Sequence, residues 1–168
     1  MSNAPIDPGP LLRRLTEAGI DFLVIGGVAV AAHGYGRSTK DLDIVYATNP
    51  ANLERLGHLL VEIGARLRGI EEDVPFVPDA ASLRRLSMLT LDTTEGGLDL
   101  LVDPDGASRY EDMWRRAEVI RLRDLEIRVV SLDDLLSMKR AAGRPQDIAD
   151  IDALLTANRV RRSTRPAD

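Results

Sequence analysis

The spacing of apolar residues divides the chain into mixed elements. Leu11, Leu12 and Leu15 share one face of a helix predicted over residues 10–18, and Gly19 ends it. Phe22 to Ile25 is a short apolar strand leading into Gly26-Gly27, and Val28 to His33 reads as a small-residue helix closed by Gly34 and Gly36. Asp41 to Tyr46 alternates as a strand, and leucines at helical spacing predict one long helix over 50–67. Residues 69–82 are acidic and proline-containing and read as a loop. Strands follow at 86–93 and 98–102, joined by a Glu95-Gly96-Gly97 turn. A short helix at 110–116, a hairpin pairing 119–122 with 126–130, and helices at 131–142 and 145–158 complete the pattern. Gly143 and Pro145 suit the end of one helix and the start of the next. The order is α+β, closing on a helical pair.

Domain size and composition narrow the chemistry. The 168 residues amount to about one domain, read as an arm at 1–9, a single domain at 10–158 and a basic tail at 159–168. There is no cysteine and there are two histidines, so thiolate and histidine-rich metal sites are excluded. A metal here would be a hard cation on carboxylate oxygens, Mg²⁺ or alternatively Mn²⁺. The net charge of −5 does not favour nucleic acid; the arginines between Asn158 and Arg165 read either as a local phosphate contact or as a solvated tail. No apolar run approaches the ~20 residues of a membrane span, and the N-terminus lacks signal-peptide character, which together predict a cytoplasmic protein with no membrane partner.

The chemistry concentrates between Phe22 and Tyr46. A glycine pair between a strand and a helix lets a ligand approach the backbone, and a helix start there suits phosphate; a tight turn used for packing only is the alternative reading of the same pair. Strand alternation puts Asp41, Asp43 and Val45 on one face and Leu42, Ile44 and Tyr46 on the other. Two neighbouring carboxylates on an apolar strand repel and resist desolvation, and a divalent cation removes both costs; a strand start that reaches solvent, where acids are harmless, is the alternative. Asp99 interrupts the later strand Leu98–Val102 and is a candidate third ligand if that strand lies alongside; Asp92 competes more weakly, and Asp103 reads as a strand end. Arg37 and Thr39, in the loop entering the Asp41 strand, offer phosphate contacts, with solvation the simpler fate for Arg37. Lys139 falls within the stripe of Leu132, Leu135, Leu136 and Ala142, so it either meets a phosphate or acidic cluster or snorkels at the helix edge. Asp147, Asp150 and Asp152 are its candidate acidic neighbours. His33 reads as packing or capping, and Ser131 with Asp134 as a helix cap.

Gly26-Gly27, Arg37-Ser-Thr-Lys-Asp-Leu-Asp43 and Asp99 together resemble the nucleotidyltransferase superfamily related to polymerase beta. The segment from Leu135 to Ile151, with Lys139 and Gly143-Arg-Pro-Gln-Asp147, is similar to the ending of its abortive-infection toxin branch, found in type IV toxin–antitoxin systems. The resemblance implies a small mixed sheet flanked by helices, and Mg²⁺-dependent transfer of a nucleoside monophosphate from NTP to a hydroxyl. It implies metal binding at Asp41 and Asp43, third-acid duty at Asp99, and phosphate contacts at Gly26, Gly27 and Thr39. It also implies a working lysine at Lys139 followed by an acid, for which Asp147, Asp150 and Asp152 compete; Asp152 is placed with Arg37 in the nucleotide-binding set. The implied partners are NTP, tRNA or another RNA acceptor, and a cognate antitoxin. Small-molecule or protein nucleotidylation by the same site, and a non-catalytic nucleotide-binding regulator, are the rival readings.

Overall fold

The computed structural model describes residues 5–70, 76 and 78–164. Its strands are β1 (Phe22–Ile25), β2 (Asp41–Tyr46), β3 (Arg66–Leu67), β4 (Met88–Thr93), β5 (Gly96–Leu101), β6 (Glu118–Leu122) and β7 (Leu125–Val129). Its helices are α1 (Gly9–Glu17), α2 (Gly26–Ala32), α3 (Pro50–Glu62), α4 (Ala80–Arg85), α5 (Tyr110–Arg116), α6 (Leu132–Ala142) and α7 (Pro145–Ser163). The strands form one mixed sheet in the order β3-β4-β5-β2-β1-β7-β6. β2 is central, antiparallel to β1 and parallel to β5.

The two faces of β2 are used differently. Leu42 and Ile44 are fully buried, and Tyr46 donates its hydroxyl hydrogen to the Leu83 carbonyl of α4 at 2.6 Å. α4 packs on α3 and α3 on α1, so this side carries the larger apolar layer. Asn52, at the start of α3, holds one end of the antiparallel β1–β2 pair, where β1 begins and β2 finishes: its amide donates to the Asp21 and Ala47 carbonyls and its oxygen accepts from Asp21 N–H. Each buried aliphatic side chain contributes roughly 1.5–3 kcal/mol. That anchorage lets the alternate residues Asp41 and Asp43 occupy the opposite face, where α2 meets α6 and α6 meets α7.

Three boundaries differ from the sequence reading. The long helix stops at Glu62 because Gly64 turns left-handed (φ 59°), and the chain continues as the edge strand β3. The loop read at 69–82 contains the start of α4, capped by Asp79, which accepts from Ser82 N–H at 2.7 Å; residues 71–75 and 77 of that loop lie outside the described residues. Helix α7 runs five residues past 158, into the segment read as a tail, and Arg161 on that extension donates to the His33 carbonyl. Residues 1–4 of the arm and 165–168 of the tail also lie outside the described residues. The last two helices meet as expected, with Gly143 left-handed (φ 61°) after α6 and Pro145 opening α7.

Candidate active site

Strand register assembles the acids. Asp43 is paired with Asp99 across the parallel β2–β5 ladder, and Asp99 with Thr90 on β4. The neighbouring row runs Asp41, Gly97, Asp92 and Arg66 across β2, β5, β4 and β3. Register partners share a sheet face, so Asp41, Asp43, Asp92 and Asp99 all project from one side. Burial pushes the Asp43 carboxyl up to about 7, helped by the charges of Asp99 and Asp41 and opposed by Lys139 and the Gly27 N–H. Burial likewise raises Asp99 to about 6, against the pull of the Arg68 guanidinium.

The glycine turn closes over this row. Ile25 pairs with Asp43, and Gly26 follows in a left-handed conformation (φ 61°). A Cβ on Gly26 would land on the Asp43 carboxylate. At Gly27 a Cβ would lie 2.7 Å from Thr39 Oγ1 and 3.3 Å from Arg37 Nη1. Absence of side chains is thus what lets the turn, Thr39, Arg37 and Asp43 share one spot.

Lys139 approaches from α6. It is only 5% exposed, and its Nζ lies 2.9 Å from Asp147 Oδ1 and 2.8 Å from Asp150 Oδ2. Arg37 grips Asp150 with two hydrogen bonds of 2.8 and 2.9 Å, and Gln146 adds a third at 3.0 Å. Arg144 donates to Asp147 from both Nε and its backbone N–H. Burial alone would raise Asp147, but hydrogen bonds from Arg144 and Lys139 pull it down to about 2. The same contest, won by Arg37, Lys139 and Gln146, lowers Asp150. The acidic neighbours of Lys139 are therefore Asp147 and Asp150. Asp152 is exposed on α7, and the structure does not bring it to the lysine. A helix turns about 200° between positions 150 and 152, which sends the later side chain away.

A cavity of about 350 Å³ opens beside this assembly. Gly26, Leu101, Met138, Lys139, Arg144 and Asp147 are among its lining residues. His33 stands apart from it as packing: buried, with its Nε2 2.8 Å from the Val130 carbonyl.

Two arginines to which the sequence reading gave no role belong to the site. Arg144 joins Asp147 and lines the cavity. Arg68, just after β3, reaches Asp41 and Asp99, each at 3.1 Å, and Asp92 at 3.0 Å. Three alternating residues, Arg66, Leu67 and Arg68, are too short a run to mark a strand, so no pattern in the sequence singles Arg68 out. Among the described residues no three metal-ligating side chains are arranged around a common point. The Arg68 guanidinium stands among the acids instead. The donor chemistry nevertheless suits a hard divalent cation, because Asp99 Oδ1 is buried with no hydrogen-bond partner and both paired carboxyls are costly to ionise without a counter-charge.

The family model described as "Nucleotidyl transferase AbiEii toxin, Type IV TA system" matches residues 11–165. The chain belongs to the AbiEii nucleotidyltransferase toxin family. It is a nucleotidyltransferase, and the AbiEii match spans the turn, the acids and the lysine helix together. Solved structures share the fold. The lincosamide antibiotic adenylyltransferase LnuA, with lincomycin bound, has 16% identity and a TM-score of 0.63, covering 92% of this chain and 99% of that one. ANT(2")-Ia in complex with adenylyl-2"-tobramycin has 14% identity and a TM-score of 0.54, covering 88% and 84%. An antigenic nucleotidyltransferase-like protein from Paracoccidioides brasiliensis has 17% identity and a TM-score of 0.52, covering 91% and 78%. No curated protein sequence matches the AbiEii chain significantly. No helix among its described residues is long and apolar enough to cross a membrane.

Proposed function

We propose that this AbiEii protein transfers a nucleoside monophosphate from an NTP to a hydroxyl of an RNA acceptor, tRNA being the first to test, in a Mg²⁺-dependent reaction that Mn²⁺ also supports. The observation that carries the reading is the pairing of Asp43 with Asp99 in register beside the Gly26 turn, with Asp41 one position over on the same face. These three carboxylates would hold the divalent metal, which when bound lowers the pKa of the acceptor hydroxyl and neutralises triphosphate charge. Asp99, on β5, would receive the acceptor's proton. The bare backbone of Gly26 and Gly27, with Thr39, lines the phosphates. Lys139 spends two of its three N–H donors on Asp147 and Asp150 and borders the cavity beside Gly26, so the third is available to a phosphate there. Arg37 reaches the Gly27 side of the turn while braced by Asp150. The family's description as a type IV toxin–antitoxin toxin supports a toxin–antitoxin setting for the transfer.

Labelled NTP with Mg²⁺ and bulk tRNA tests the reading. Wild type transfers label, and Asp41→Ala, still folded by circular dichroism, does not. Unchanged transfer in that variant removes the mechanism.

The cavity favours a second reading. Its largely hydrophobic lining and about 350 Å³ suit a small hydroxylated acceptor; of the structures that share the fold, one is a lincosamide antibiotic adenylyltransferase with lincomycin bound and another is in complex with adenylyl-2"-tobramycin. A panel of lincosamide and aminoglycoside acceptors beside tRNA separates the two.

A further inference from the structure

Arg68 is a cation held inside an acidic site. Its backbone is fixed at the sheet edge, where its N–H donates to the Thr90 carbonyl at 3.0 Å and so extends the β3–β4 ladder. From there the side chain crosses β4. Nε donates to Asp92 Oδ1 at 3.0 Å, Nη2 donates to the Leu91 carbonyl at 2.6 Å and lies 3.1 Å from Asp41 Oδ1, and Nη1 lies 3.1 Å from Asp99 Oδ1. The passage exists because residue 97 is glycine: a Cβ there would sit 2.7 Å from Nη2 and collide with Asp41.

The fit is incomplete in an informative way. Asp99 Oδ1 is near Nη1 but outside hydrogen-bond geometry, and this oxygen, on a side chain nine-tenths buried, has no hydrogen-bond partner. A planar guanidinium donates along fixed directions, whereas a spherical cation needs only oxygens at the right distance. The guanidinium also stands on the oxygens that a divalent ion would use, and like charges at that separation repel. One of its partners, Asp92, is exposed and lies on the side of the sheet edge, which leaves Arg68 an anchor when it withdraws.

We infer that Arg68 is a displaceable internal counter-ion: it holds Asp41 and Asp99 together in the metal-free protein, competes with the divalent cation for their oxygens, and retreats toward Asp92 when that cation binds. The inference rests on the reading of Asp41, Asp43 and Asp99 as the metal side. It makes Arg68 a positioning residue that sets the affinity of the site for free metal.

The test is Mn²⁺ alone, titrated into the full chain without nucleotide and followed by electron paramagnetic resonance or calorimetry. Arg68→Gln tightens Mn²⁺ binding by about ten- to a hundredfold, the range of lost charge-assisted hydrogen bonds. Arg68→Lys, which keeps the charge and loses the fork, tightens it by a smaller factor. Asp43→Asn weakens it. A merely structural arginine would give equal or weaker Mn²⁺ binding on substitution, and that result in Arg68→Gln overturns the inference while Asp43→Asn still upholds the metal reading. Unchanged binding in Asp43→Asn overturns both. If Arg68→Gln does not fold by circular dichroism, Arg68→Lys decides: no tightening there overturns the inference.

Discussion

At the scale of single residues, the site is a set of unfavourable choices that make sense together. Asp43 is raised to about 7 by burial and by the charges of Asp99 and Asp41. Asparagine at 43 removes that repulsion but offers no carboxylate, so the metal-free protein keeps or raises its melting temperature while nucleotidyl transfer falls by about a thousandfold, the scale of losing several kcal/mol of metal-assisted stabilisation. Scanning calorimetry beside a labelling assay checks both halves; a variant that is inactive because it is unfolded contradicts the argument. Gly26 is the complementary case. Alanine there meets the left-handed backbone penalty of about 1–2 kcal/mol and drives its Cβ into the Asp43 carboxylate. Urea unfolding should show a loss of at least that size, and Mn²⁺ binding should weaken as Asp43 is pushed aside. The acids and glycines were legible because strand alternation and φ freedom are local properties. Arg68 was not, because its role depends on β3 pairing with β4, a two-residue ladder that no periodicity in the chain announces.

At the scale of elements, α6 and α7 form a charge clamp whose partners are fixed by helix phase. Positions 147 and 150 are one turn apart and share the face toward Lys139, and position 152 does not. The sequence offered three acids as neighbours for the lysine, beside a phosphate partner or a snorkelling side chain, and choosing among them requires knowing how α7 is rotated against α6, which is a packing outcome. Removing the cation exposes the cost. Lys139→Ala leaves Asp147 and Asp150 buried with fewer compensating charges, and should destabilise the fold by about 3 kcal/mol in urea unfolding; Arg37 and Arg144 keep the loss from being larger. Acid does the same more gradually. Asp147 titrates at about 2 in the folded protein against an ordinary 3.8. A depressed carboxyl contributes stability that is present above the unfolded value and lost as pH falls through the folded one, so the contribution of about 2 kcal/mol disappears between roughly pH 4 and pH 2. The stability gap between wild type and Asp147→Asn should therefore shrink across that window. A gap that stays constant would show that Asp147 acts through shape alone.

At the scale of the whole molecule, the question is how a chain of net charge −5 meets a polyanion. The general field opposes RNA, so any productive contact must be local. The end of α7 provides one: Arg159, Arg161 and Arg162 are exposed there, and Arg161 is moored to the His33 carbonyl next to Gly34, which fixes this helix end against the end of α2. The helix thus joins the clamp around Lys139 at its start to a cationic tip at its end. Composition marked these arginines as basic, but only the continuation of α7 to Ser163 gives them a fixed platform. If RNA is the acceptor, reversing charge in Arg159→Glu with Arg162→Glu lowers kcat/KM for RNA by about tenfold at low salt. Two lost phosphate contacts also make the logarithmic salt dependence shallower by about two. Labelling of a small neutral acceptor, which fits within the cavity, stays unchanged in the same variant. Loss on both acceptors would mean that the substitutions disturb the helix rather than the interface, and no loss on RNA would place its contacts elsewhere on the protein. The outcome separates an enzyme that grips a long acceptor at a distance from one that encloses a small acceptor, two designs that the same carboxylate site serves equally well.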